Sequence, residues 1–182
     1  MGDIRVQIVT ELKRAELSEL CEAANDAIEV GGGFGWLKPP HPNVMEGYWK
    51  GVLLVPDRTL FVGWLDATVA GSAQLIRPNK NNEAQAHTAH LATSFVAPWA
   101  RGHGLARQLT LAVEDHARAQ GFRVLNLDVR ETQEAAIQLY RSLGYHEIGR
   151  HPKYAKVDGK YVGGLYFWKA LDIEAPNRMS AP

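Results

Sequence analysis

Pro98-Trp-Ala-Arg-Gly-His-Gly-Leu-Ala106 joins two segments of different periodicity. Before it, His90-Leu-Ala-Thr-Ser-Phe-Val96 reads as the end of a strand beginning near Ala86. After it, Leu105, Leu109, Ala112, Val113, His116 and Ala117 recur at the spacing of one helical face. Pro98 has no N–H for a ladder bond and ends the strand. Gly102 and Gly104 allow backbone angles and close approaches that a side chain blocks. The helix then opens on unsatisfied N–H groups carrying about half a unit of positive charge. Together these make a socket for a phosphate or pyrophosphate, with Arg101 as a cationic fork at its lip.

Two glycines at a strand-to-helix turn are common, and the well-known nucleotide fingerprints are incomplete here. Gly102-His-Gly104-Leu-Ala-Arg107 lacks the third glycine of G-x-G-x-x-G, and the Gly-Lys-Ser/Thr of a Walker loop is absent. Further along, the helix stops at Gly121 and Val124-Leu-Asn-Leu-Asp-Val129 forms the next strand. Leu125, Leu127 and Val129 make one face apolar, while Asn126 and Asp128 lie on the other. Strand, helix and strand in that order imply adjacent parallel strands. Thr132 can cap the following helix, on which Ala136, Leu139, Tyr140 and Leu143 share a face before Gly144 closes it.

The first ninety residues supply supporting elements. Ile4, Val6 and Ile8 alternate with polar residues as a half-buried strand. Thr10 can cap a helix with the apolar face Leu17, Leu20, Cys21, Ala24 and Ile28, so Cys21 reads as a structural thiol. Gly31-Gly-Gly33 and the proline-rich stretch to Pro42 lead to a second helix from about Val44 to Val55. Trp36, Tyr48 and Trp49 in this region serve either as core or as the walls of a substrate pocket. Leu60–Leu65 and Val69–Arg77 read as strands, followed by a polar loop. Tyr145–Gly149 and Tyr161–Trp168 are the last strands, with a loop expected over His151–Lys160. One domain over residues 1–171 and a flexible tail over 172–182 are the expected organisation.

Composition narrows the function classes. Among 182 residues, twenty basic side chains balance twenty acidic ones, which argues against a nucleic-acid or anionic-membrane partner. No apolar run is long enough to span a bilayer. A single cysteine permits no internal disulfide, and a cytoplasmic location is the default expectation. His87 and His90 point to opposite faces of a regular strand, and no other spacing suggests a metal site.

Arg101-Gly-His-Gly-Leu-Ala106 behind a hydrophobic strand is an R-x-x-G-x-A pattern that resembles the acetyl-coenzyme A loop of the GNAT N-acetyltransferases. Val129-Arg-Glu-Thr-Gln-Glu-Ala-Ala-Ile-Gln-Leu-Tyr-Arg-Ser-Leu-Gly-Tyr145 is similar to the same family's segment ending A-x-x-L-Y-x-x-x-G-F/Y. Order and separation of the two motifs match. The resemblance implies an α/β (α+β) fold: a mixed, largely antiparallel sheet with one parallel β-α-β unit splayed at the cofactor. It implies acetyl-CoA as cosubstrate without a metal, and a small-molecule amine as acceptor, attacked directly through a tetrahedral intermediate. The chain's ending is similar to tabtoxin-resistance-type members. A CoA-binding sensor without turnover, and a peptide or protein N-acetyltransferase, are the alternatives. Monomer and homodimer stay open.

Cofactor contacts implied by the resemblance are backbone near Phe95 and Val96, the loop Arg101, Gly102, His103, Gly104, Leu105 and Ala106, and the side chain of Gln133, where many relatives carry Asn. Tyr140 stands at the family's general-acid position. Asp128 looks like the carboxylate paired with that tyrosine, with His90, Glu83, Glu131 and water as other bases. Trp36, Tyr48, Trp49 and Tyr154 are the candidate substrate contacts.

Overall fold

The alternating N-terminal segment forms strand β1 (Ile4–Val9), the edge of a seven-stranded sheet in this computed structural model, which describes residues 2–32 and 34–171. Two helices follow, α1 (Arg14–Glu29) and α2 (Pro42–Leu54). Then come β2 (Arg58–Leu65), β3 (Thr68–Ile76) and β4 (Thr88–Val96), with a single 3-10 turn at Glu83–Gln85 in the polar loop. The glycine turn leads into α3 (Leu105–Ala119), β5 (Val124–Arg130) and α4 (Glu134–Ser142). The chain closes with β6 (His146–Val157) and β7 (Lys160–Ala170). Sheet order is β1-β2-β3-β4-β5-β7-β6, and only the β4–β5 pair is parallel.

Both faces of the sheet are covered where the strands are apolar throughout. On β2, Leu60, Val62 and Trp64 pack with α1 and α2 through Leu20, Ala24, Met45 and Trp49. Phe61 and Leu65, pointing the other way, join Leu105, Leu109 and Val113 of α3. Strand β5 differs. Leu125 and Leu127 are buried in the α3 and α4 layer, whereas Asn126 and Asp128 face the side on which α1 and α2 lie over β2–β4. That polar face becomes a wall of the site.

Local chemistry departs from three expectations. Lys13, not Thr10, precedes α1, and its N–H donates to the Glu16 carboxylate at 2.9 Å, a bond Thr10 is too far away to make. Gln133, not Thr132, precedes α4 and makes no side-chain cap. The largest difference is at His151–Lys160. This segment is not a loop: β6 and β7 run on to a two-residue turn at Asp158-Gly159, with φ of 48° and 78°. Positive φ at both positions matches the twist of a tight hairpin. Pro152 is tolerated because β6 is an edge strand, and the register is irregular there, between His151 and Ala155. The expected flexible tail, 172–182, lies outside the described residues. No described helix is long and apolar enough to cross a membrane.

Candidate active site

The site begins where β4 and β5 part. They pair only at Thr88, Ala89 and His90 against Val124, Leu125 and Asn126. Beyond His90 a β-bulge bends β4: Ser72 opposes Phe95 and Gln74 opposes Ala92, so Thr93 and Ser94 share one partner residue. Thr93 takes a left-handed φ of 47° to do this. Ala97 N–H bonds to Ala70 O at 2.8 Å on the β3 side. Val96, one residue back, therefore directs its own N–H and C=O into the gap toward β5. Gly71 lets the strands come this close, since a Cβ there would lie 2.4 Å from Phe95 O.

The gap is a cleft of about 670 Å³ lined by Ser94, Phe95 and Val96 on one side, by α4 on the other and by Arg101, Gly102 and Gly104–Arg107 at its mouth. Gly102 and Gly104 have φ of 81° and 88°, and a Cβ on either would meet nothing within 4 Å. Conformation, not crowding, requires glycine at both positions. No side chain caps α3, and its first ladder bond runs from Gln108 N–H to Gly104 O at 3.1 Å. The N–H groups of Leu105, Ala106 and Arg107 thus open toward the cleft. Phe95 and Leu105 contribute main chain only, because both side chains are buried in the cores. Arg101 Nε donates to Val96 O at 3.3 Å, and the His103 ring sits 3.0 Å from Arg101 O without lining the cleft.

A second cavity of about 480 Å³ lies on the polar face of β5. Asp128 is its centre. His90 Nε2 lies 3.0 Å from Asp128 Oδ1, and the Tyr154 hydroxyl donates to Oδ2. The bond to His90, reinforced by Tyr154 and opposed by burial, holds the Asp128 carboxyl below the usual carboxylate value. The Tyr154 phenol is pushed up, first by burial and then by the Asp128 carboxylate. Gly164 makes room for that ring, since a Cβ there would lie 2.2 Å from the Tyr154 Cγ.

Tyr140 joins the two cavities. It lines both, as do Ser94, Gln133 and Ala136. Its side chain is buried, with Ser94 beside it. Burial pushes the phenol above its ordinary value, the nearby Ser94 opposes that, and the Asp128 charge adds to it. Gln133 Nε2 donates to Gly31 O at 2.5 Å, tying the start of α4 to the end of α1 across the cleft.

The model of the family described as "Acetyltransferase (GNAT) family" matches residues 18–145. The chain belongs to the GNAT acetyltransferase family. An Azospirillum brasilense protein described as an uncharacterized N-acetyltransferase in the hisH-hisA intergenic region is 66% identical over 133 residues, 73% of this chain and 79% of that one. The L-methionine sulfoximine/L-methionine sulfone acetyltransferase of Pseudomonas aeruginosa is 35% identical over 82 residues, 45% of each chain. In fold, the Salmonella typhimurium protein yncA, solved with its cofactor acetyl-CoA, superposes with a TM-score of 0.76 at 19% identity, covering 96% of this chain and 97% of that one. The protein is an N-acetyltransferase, and its mixed sheet with one parallel pair is the GNAT fold.

Other residues singled out from this N-acetyltransferase's sequence lie elsewhere. Neither cavity is lined by Trp36, Tyr48 or Trp49. Trp49 is wholly buried, Tyr48 hydrogen-bonds Gln74 at 3.0 Å, and Trp36 stacks on Phe34. The apolar face of α2 covers the sheet, and the loop presents Phe34, Gly35 and Leu37 to the cavity instead. Glu83 is exposed on its 3-10 turn, and Glu131 is held by Arg150 at 2.6 and 2.9 Å; neither lines a cavity. Cys21 is half-buried with its thiol pushed up to about 11, first by burial, and is no nucleophile at neutral pH. No cluster suited to a metal occurs among the described residues. Sequence reasoning passed over Ser94, Arg130 and the bulge at Thr93. Gly163-Gly164 inside a strand was the available signal that another side chain approaches closely.

Proposed function

We propose that this N-acetyltransferase binds acetyl-CoA along the β4–β5 cleft and acetylates a small-molecule amine held in the Asp128 cavity. The observation that carries the reading is the position of Tyr140 at the junction of the two spaces. Main-chain N–H groups from Arg101 to Arg107 would hold the diphosphate, and the strand edge at Phe95 and Val96 the pantetheine arm. When bound, acetyl-CoA supplies an activated thioester. Val96 N–H, aimed into the gap, is placed to stabilise negative charge on a carbonyl oxygen there.

Tyr140 Oη holds a proton throughout the neutral range, because burial keeps the phenol from ionising. A thiolate leaving group, with a thiol pKa of about 8.5, can take that proton as it departs. On the acceptor side, a carboxylate held below its ordinary value is a weak base by itself. His90 therefore accepts the amine proton, and Asp128 orients the ring and balances its charge across the 3.0 Å bond. Tyr154 in turn fixes Asp128.

The test is release of CoA thiol from acetyl-CoA over a panel of small amines. Tyr140→Phe is expected to lower kcat by about 10²–10⁴-fold, the usual contribution of a general acid. A loss under about tenfold would remove Tyr140 from that role.

A further inference from the structure

The cavity around Asp128 carries more positive charge than proton transfer requires. Arg130 and Lys156 both line it, and Asp128 is the one carboxylate among its lining residues. That carboxylate already holds His90 and Tyr154. The Arg130 guanidinium donates to the main-chain Phe34 O, its one hydrogen-bond partner among the described residues, which uses one of its five N–H groups. The Lys156 ammonium pairs with no carboxylate among the described residues and lies 5.9 Å from the Tyr161 ring centroid. Two cations beside a small cavity repel one another unless an anion enters with the ligand.

Asp128 and Arg130 are two apart on β5, so they project from one face, about 6.6 Å apart along the strand. A ligand with an ammonium group and a carboxylate on one carbon can bridge them, with charge-assisted hydrogen bonds of about 2.8 Å at each end. Phe34, Leu37 and Ala136 give the same cavity an apolar wall for the rest of the ligand.

We propose that Arg130, with Lys156, forms a carboxylate subsite, and that the acceptor is a free α-amino acid whose ammonium faces Asp128. This rests on the reading of the cavity as the acceptor site. Each carboxylate oxygen of Asp128 has two lone pairs, so both can accept from the ligand ammonium while keeping His90 and Tyr154. Binding the carboxylate fixes the amine's position, and an amine lacking it would enter without an orienting contact.

The experiment measures thiol release from acetyl-CoA with a panel of L-amino acids, each paired with its carboxamide and its decarboxylated amine, and compares rates per neutral amine. The wild type is expected to prefer the acid over its carboxamide by tenfold or more in kcat/KM. Arg130→Gln is expected to cut that preference at least tenfold, chiefly through KM, and Lys156→Gln to cut it by a smaller factor. Arg130→Lys should retain part of it. Melting temperatures of all three variants separate loss of the subsite from loss of the Phe34 anchor. Equal use of acid and carboxamide by the wild type, or a preference that neither glutamine variant changes, overturns the inference. Turnover confined to neutral amines also overturns it while leaving acetyl transfer standing. Failure of every amine tested to release thiol overturns the acetyl-transfer reading as well.

Discussion

Tyr154 has no chemistry of its own in the proposed reaction, yet it sets the ionisation of a residue that does. Its hydroxyl donates to Asp128 Oδ2 and, with His90, keeps the carboxyl below its ordinary value. Removing a donor from an ionised acid raises its pKa. Tyr154→Phe is therefore expected to raise the Asp128 carboxyl toward its ordinary value, read by NMR titration of its carboxyl carbon. A carboxyl titration unchanged from wild type would show that the hydroxyl bond does not tune Asp128. Asp128 itself was legible from alternation along Val124–Val129, which put it on the polar face. Its two partners were not, because His90 reaches it from another strand and Tyr154 from a hairpin 26 residues away.

At the scale of elements, the glycine turn and α3 were readable because their chemistry is local. Pro98, Gly102 and Gly104 lie within seven residues of chain, directly before the apolar spacing that starts at Leu105. Gly104 keeps a φ of 88°, so Gly104→Ala is expected to destabilise the fold by about 1–2 kcal/mol, measured by urea unfolding. Gly51, inside α2 with open space around its Cα, provides the contrast. Gly51→Ala is expected to stabilise by up to about 1 kcal/mol, through helix propensity. Equal effects for the two would remove backbone conformation as the reason for Gly104. The hairpin β6–β7 was misread because proline and polar residues over His151–Lys160 mimic a loop, and an edge strand tolerates both. That segment carries Tyr154 and Lys156 into the Asp128 cavity, so the error fell on a wall of the candidate site.

Across the whole molecule, the two helical layers are locked to the sheet by means that differ in kind. The α1 and α2 side is held by aromatic packing among Phe34, Trp49 and Phe95. The α3 side adds a buried charge: Glu114 accepts from Lys169 of β7 at 2.7 Å and from Arg118 at 3.2 Å. Glu114→Ala leaves Lys169 without its partner and is expected to cost about 3 kcal/mol in urea unfolding. The double change Glu114→Leu with Lys169→Met should recover most of that loss. A single variant as stable as wild type would show the pair to be dispensable.

By itself the sequence determined the order of elements, the glycine turn after Pro98 and the phase that puts Tyr140 on the apolar side of its helix. Those properties follow from periodicity, turn conformation and unsatisfied helix N–H groups, all set by neighbours in the chain. Tertiary structure alone decided how far β4 parts from β5, which residues face Asp128, and that Arg130 lies beside a carbonyl 96 positions earlier. A bulge and a cavity are made by strands packing across a sheet, and no short window of sequence contains both walls.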